Sequence, residues 1–298
     1  MSKEKRRFGD RRDATLIRQQ DGMHLIMPMI YPNRCDNEAF ISERIDLTNI
    51  DKYLEKRNAE NPEFKFTLFH LIVAAILKTI ILRPKLNRFI ANKNNYQRNS
   101  YSASFVVKKQ FSDTSEEGLA FIYATEDSTL DSLHEDLFKQ ISREKKGGAG
   151  NATSNTMDIL NKLPRWVGKT AVRFVKFFIW LMRQLDRHGI VPKSIIEADP
   201  YYASVILSNL GSIKLRSGYH HLTNWGTTSL FVVVGEMKER IFRNENGEDE
   251  YRNSVDLGLT IDERLADGYY YSKSVRLLKY ILEHPECLER PFSEPVDY

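Results

Sequence analysis

Residues able to do chemistry concentrate in two short stretches. The first, Val205–Gly211 (VILSNLG), carries the Ser208 hydroxyl and the Asn209 amide just before Gly211. The second, Gly258–Gly268 (GLTIDERLADG), carries the carboxylates of Asp262, Glu263 and Asp267. A hydroxyl can donate to developing negative charge, and a carboxylate can remove a proton or pair with a cation. For Glu263 the plain alternative is an ion pair with a nearby Arg or Lys, Arg264 among them. His220 and His221 lie between the stretches in Gly218–Gly226 (GYHHLTNWG). Imidazoles titrate near neutrality and can serve as bases, although paired loop histidines are more often hydrogen-bonded or solvated. His70 sits in an apolar run and reads as a core residue, and His24 stands apart from both stretches. Cys35 has no nucleophile context. Cys35 and Cys287 are far apart, build no disulfide framework and show no four-ligand zinc spacing, so no metal site is expected.

The elements that must position these residues alternate in type without a regular period. Val205–Gly211 reads as a strand ending in a turn. Val255–Ile261 reads as a strand leading into the second stretch, and Tyr270–His284 as the closing helix, stopped before Pro285. Upstream, Phe40–Leu47 alternates as a strand, Thr48–Asn58 forms a short helix, and Thr67 caps an apolar helix over Leu68–Leu82, stopped by Pro84. That helix is apolar nearly all round, which predicts cover on most sides. Strands are expected at Ser102–Lys108, Leu119–Thr125, Ala203–Leu207 and Ser229–Val234. A polar-faced helix runs from Ser128 or Thr129 to about Glu144, a loop covers Lys145–Asn155, and a hairpin turns near Asn244–Asp249. The first forty residues read as turn-rich, marked by Asp21-Gly22 and Met27-Pro28, with about residues 1–12 expected to be disordered. The pattern predicts an α/β (α+β) chain with a mixed β-sheet flanked by helices, in one domain over 1–298.

The chain has 298 residues, of which 41% are hydrophobic and 28% charged, with a formal net charge of +4. This composition is that of a globular protein, neither disordered nor embedded in a membrane. The small positive charge meets no groove-reading or base-stacking motif, so no nucleic acid is expected as a partner. Met1–Arg12 carries six basic and two acidic residues but no apolar stretch follows it, which excludes a secretory signal. Two distant cysteines suit a reducing compartment, and the expected location is cytoplasmic.

Four landmarks in order give a family resemblance. Ser208-Asn209-Leu210-Gly211, the DERLADG segment Asp262–Gly268, Arg83-Pro84-Lys85-Leu86-Asn87, and the closing helix before Pro285 resemble the catalytic domain of dihydrolipoamide acyltransferases. These are the acyl-transfer subunits of 2-oxo acid dehydrogenase complexes, within the chloramphenicol-acetyltransferase-like superfamily. The resemblance covers roughly residues 8–290. It implies a homotrimer with active sites in channels between subunits, where coenzyme A and an acyl donor or acceptor meet. The family's HHxxxDG or DHRxxDG segment supplies a base histidine, and in this sequence that position is Glu263. Asp267 and Gly268 are retained, with the aspartate implied to hold the local architecture. Ser208 matches the oxyanion donor, with Ser204 and Ser212 close enough to compete for that role. Asn209, Gly211, His220 and His221 are further candidates for substrate binding or for a substitute base.

The change at 263 matters energetically. A carboxyl with a reference pKa near 4.3 faces a thiol near 8.5, so proton transfer is uphill by more than about 5 kcal/mol, roughly twice the barrier for histidine. Two functions stay open: an acyltransferase using a coenzyme A thioester such as acyl-CoA, or a non-catalytic trimeric binding or scaffold protein of the same fold. Full-length relatives carry lipoyl and peripheral-subunit-binding domains. Neither is expected here, which points to a free-standing protein whose substrate diffuses or is delivered.

One segment belongs to none of this. In Leu163–Arg187 (LPRWVGKTAVRFVKFFIWLMRQLDR), Arg165, Lys169, Arg173, Lys176, Arg183 and Arg187 fall within about 80° of a helical wheel, and apolar side chains fill most of the remainder. Its longest apolar run, Phe177–Met182, is far short of the roughly 20 residues that span a bilayer. Two readings are open: a face packed internally or on another subunit, and a peripheral contact with an anionic membrane surface.

Overall fold

The computed structural model describes residues 6–108, 117–145, 165–197 and 199–298. Strands β1 (Ala14–Leu16), β3 (Arg88–Ala91) and β4 (Asn94–Arg98) form a small antiparallel sheet in the order β1-β4-β3. The large sheet takes β2 (Glu38–Asp46), β5 (Tyr101–Lys108), β6 (Glu117–Ala124), β7 (Val205–Asn209), β8 (Leu230–Val234) and β10 (Asp249–Asp262) in the order β2-β10-β8-β7-β5-β6. β9 (Lys238–Arg243) pairs with β10 as a hairpin. The pairs β5–β7 and β7–β8 are parallel and the other pairs are antiparallel, so the sheet is mixed, as expected.

The helices are α1 (Gly22–Ile30), α2 (Thr48–Asn58), α3 (Leu68–Leu82), α4 (Leu130–Lys145), α5 (Arg165–Arg187), α6 (Lys193–Ile196) and α7 (Gly268–Glu283). α3 starts in a capping box, with the Thr67 side chain accepting from the His70 N–H and the His70 ring accepting from the Thr67 N–H. Every residue from His70 to Ile81 is buried, the cover its all-round apolarity predicted. Packed with α4 and α7 against Val205, Leu207, Val232, Leu259 and Ile261, it forms the main core. Each fully buried Leu or Ile there contributes about 1.5–3 kcal/mol relative to exposure.

The opposite face of the sheet carries a smaller apolar cluster of Ile206, Leu222, Phe231 and Val233. The chain from Leu215 to Ser229 folds over it, and Gly258 is what lets it close: a Cβ there would lie 2.0 Å from the Gly218 carbonyl oxygen.

The N-terminal forty residues are more regular than their turn signals predicted. Asp21 caps α1 by accepting from the His24 N–H at 3.1 Å. Pro28 sits inside this helix and cannot donate to the His24 carbonyl, which instead accepts from Asn95 Nδ2 at 2.9 Å. A polar neighbour replaces the missing helical bond, so the proline does not end the helix. Within the 1–12 stretch, expected to be disordered, residues 6–12 are described. Arg11 is 2% exposed and pairs with Asp13 at 2.9 Å and with Asp186 of α5 at 2.8 Å. The loop expected over Lys145–Asn155 lies outside the described residues from 146 onward, as do Leu163 and Pro164.

Candidate active site

β10 delivers the acidic stretch, and its last residue turns inward. Asp262 is fully buried and accepts from Arg264 Nε at 2.7 Å and Nη2 at 2.6 Å, while its carbonyl accepts from the Tyr271 hydroxyl at 2.7 Å. Arg34 joins this pair with Nε 3.8 Å from Asp262, its other nitrogens donating to the carbonyls of Thr223, Gly226 and Ile90. Burial pushes the Arg34 guanidinium below its ordinary pKa, against the pull of Asp262. Arg264, a candidate partner for Glu263, is thus held by Asp262 instead. The single turn Glu263–Leu265 points Glu263 outward, where it is exposed and makes no ion pair among the described residues. Its backbone N–H is tied to the Asn37 carbonyl at 3.0 Å.

Asp267 caps α7, accepting from the Tyr270 N–H at 2.8 Å. That bond, against slight desolvation and helped by Lys85, holds the Asp267 carboxyl below its ordinary pKa. The Pro84–Asn87 turn meets the same helix end: the Lys85 N–H donates to the Tyr270 hydroxyl at 3.0 Å. Two of the sequence landmarks therefore touch. Glu263 and Asp267 open on a cleft of about 630 Å³ between β2, α1 and α7, lined also by Ile41, Glu43, Tyr271 and Arg276. Sequence reasoning missed Glu43 and Arg276. Glu43 was findable, since it alternates with Ala39 and Ile41 on one face of β2; Arg276 carries no such local signal.

Ser208 lies in β7, half-buried, on the face it shares with Ile206 two residues earlier. The neighbouring serines are engaged elsewhere. Ser204 Oγ accepts from the Ser102 N–H at 3.1 Å inside the sheet, and Ser212 Oγ donates to the Asn209 carbonyl at 2.7 Å. Asn209 Oδ1 accepts from the Ser212 N–H at 3.2 Å, which makes it the cap of the turn after β7. Gly211 permits that turn, because a Cβ there would lie 2.5 Å from the Gly235 carbonyl oxygen.

His220 stacks on Phe231 at 4.2 Å between ring centroids, with Nδ1 against the His221 carbonyl at 3.0 Å; His221 is exposed. The loop holding them is pinned where the Leu222 N–H donates to Glu38. Since Glu38 pairs with Asp262 across β2 and β10, the histidines sit toward the Glu263 end of the sheet, over the face that carries Ile206 and Phe231. Cys35 is exposed and receives Asn224 Nδ2 at 3.0 Å. Among the described residues no cluster of His, Cys, Asp and Glu could hold a metal ion.

One protomer does not bring Ser208 to Glu263. Ser208 is in register with Val233 of β8, and Val233 with Gly258 of β10, five residues before Glu263. At about 3.4 Å per residue the two side chains are roughly 15–20 Å apart along the strands. They also open on opposite faces, Ser208 on the side of Ile206 and Phe231 and Glu263 into the cleft beside α7.

No family model matches the sequence, and no curated protein does so. Solved structures do match. A probable dihydrolipoamide acetyltransferase from Listeria monocytogenes aligns at 13% identity over 89% of this chain and 93% of its own, with a TM-score of 0.57. The cubic core of a pyruvate dehydrogenase multienzyme complex aligns at 12% identity over 92% and 94%, with a TM-score of 0.59. Chloramphenicol acetyltransferase aligns at 11% identity over 90% and 99%, with a TM-score of 0.54. Over 89–92% of its length, the chain adopts the chloramphenicol-acetyltransferase-like fold that dihydrolipoamide acetyltransferase cores also have.

Proposed function

We propose that the protein is a coenzyme A-dependent acyltransferase, working as a homotrimer whose active sites form between subunits, with Glu263 as the base. The observation that carries this reading is the distance between Ser208 and Glu263 on one chain. A serine and a carboxylate at opposite ends and faces of one sheet can act together only if a neighbour supplies one of them. A closed ring of heterologous contacts does that three times over.

In this reading the acyl acceptor, a small thiol or hydroxyl compound, meets the thioester of acyl-CoA in the cleft beside α7. The volume of that cleft is in the range that holds a small molecule or the reactive end of a larger one. Glu263 removes the acceptor's proton as its sulfur or oxygen attacks the thioester carbonyl. The neighbour's Ser208 hydroxyl donates to the resulting oxyanion. Collapse expels the coenzyme A thiolate, which recovers the proton from Glu263. Packing of the neighbouring subunit over Glu263 supplies the desolvation a carboxylate needs to work as a base against a thiol. Asp267 positions Glu263 by starting α7 at a fixed place.

The second reading is a non-catalytic trimer of the same fold, favoured by the carboxylate itself, whose reference pKa lies about four units below that of a thiol. Acetyl-CoA consumption with dihydrolipoamide as acceptor separates the two. Glu263→Gln is expected to lower turnover by about 100-fold or more with coenzyme A binding retained, the usual weight of a general base. Glu263→His is expected to raise it. Unchanged turnover in Glu263→Gln assigns the base elsewhere, with His220 and His221 next in line. Coenzyme A binding without turnover in both the unaltered protein and Glu263→His favours the scaffold.

A further inference from the structure

Helix α5 is 23 residues long and is fixed to the remainder of the molecule at its C-terminal end. There Met182 is buried, Asp186 pairs with the buried Arg11, Arg187 Nε donates to Asn92 Oδ1 at 3.1 Å, and Gly189 closes the helix in a left-handed conformation. The stretch before it is different. From Val172 to Leu181 every residue is exposed except the half-buried Val175, including Phe174 at 70%, Phe177 at 57%, Phe178 at 55% and Trp180 at 55%.

Most of the apolar side chains are set apart from the basic ones around the axis. At about 100° per residue, Arg173, Lys176, Arg183 and Arg187 share an arc of about 80°, with Trp180 inside it. Phe177, Leu181, Phe174 and Phe178 lie together across a further arc of about 100°, continued by Met182 and Val175. The helix has one acidic residue, Asp186, and it faces inward to Arg11. Monomers rarely leave contiguous apolar area of this extent uncovered without a partner for it.

We infer that α5 is an in-plane docking helix for an anionic lipid surface. The apolar face would enter the acyl boundary while the basic arc meets the headgroups. A second copy of the same helix is the weaker occupant, because pairing the apolar faces would bring two basic arcs alongside one another. Among the described residues no helix is long and apolar enough to cross a membrane. Its anchoring through Asp186 and Arg187 would hold the protomer in a set orientation to the lipid. The inference does not depend on acyl transfer.

The test is flotation of the purified full chain with vesicles of 70:30 phosphatidylcholine:phosphatidylglycerol and of pure phosphatidylcholine, at 50 mM and 500 mM salt. The expected result is at least tenfold more protein on the anionic vesicles at low salt, with most of it released at high salt. F177D/F178D, at exposed positions, is expected to abolish binding with the thermal midpoint unchanged. R173E/K176E is expected to abolish the preference for anionic lipid. Absence of binding at low salt overturns the inference, as does equal binding to neutral vesicles or binding that survives F177D/F178D. A fall in oligomer mass in F177D/F178D, with no vesicle binding by the unaltered chain, overturns it in favour of a contact between copies.

Discussion

Glu263 and Arg264 are adjacent in sequence and do opposite things. The single turn after β10 sends Arg264 inward to a buried bidentate pair with Asp262 and leaves Glu263 at the mouth of a cleft. That division was not legible in DERLADG, because it depends on Arg34, Tyr31 and Tyr271 arriving from distant parts of the chain. Arg264 Nη1 donates to the Tyr31 carbonyl at 2.7 Å, which completes its enclosure. Asp267 was legible in kind, since a carboxylate just before a helix is a strong capping signal. His70, read as a core residue, is one: it is 3% exposed and packs against a tilted Phe64 ring and edge-on to His134. Burial, with His134 adding to it, pushes its imidazole down to about 4. The folded state thus binds this proton more weakly than the unfolded chain, near 6.5. The stability from neutral His70 is complete above about pH 6.5 and is lost as pH falls toward 4, by about 3 kcal/mol in all. Glutamine at the same capping-box position removes that titration. Urea unfolding of His70→Gln and the unaltered protein at pH 7.5, 5.5 and 4.5 is expected to show a shallower acid decline in the variant; parallel declines would refute the assignment.

At the scale of elements, strong periodicity was read correctly and local exceptions were not. α2 and α3 match their predicted limits, and β5, β6, β8 and α4 match within two residues, because their patterns of apolar residues match their burial. α1 was missed because Pro28 reads as a breaker until Asn95 is known to satisfy the His24 carbonyl. The β3–β4 hairpin was missed because its two-residue turn uses Asn92 and Lys93 at positive φ, without the glycine that usually marks such a turn. Gly258 shows the reverse: a residue in a family-like motif whose reason is packing. A methyl group there meets the Gly218 carbonyl, so the loop carrying His220 and His221 must lift from the sheet. Gly258→Ala is expected to lower stability by about 1–3 kcal/mol, the usual weight of overpacking. In the same denaturation series, an effect under about 0.5 kcal/mol would mean that the loop is not clamped at this point.

For the whole molecule, the fold was legible from four ordered landmarks, and the physical reasons are visible in their contacts. Pro84–Asn87 and Asp267 meet at the start of α7, while Gly211 lets the turn after Ser208 lie against Gly235. What one sequence did not reveal is that Ser208 and Glu263 belong to different ends of the sheet. Under the proposed function, that separation makes the two residues half-sites and the assembly part of the chemistry. Mixed trimers of Ser208→Ala and Glu263→Gln subunits, purified through two tags after co-expression, measure this directly as acetyl-CoA turnover. Each parent alone is expected to be nearly inactive. A threefold ring that holds both kinds of subunit sets an intact Glu263 against an intact neighbouring Ser208 at one of its three interfaces, so about a third of the original activity is expected to return. Mixed trimers no more active than either parent would contradict a site shared between subunits.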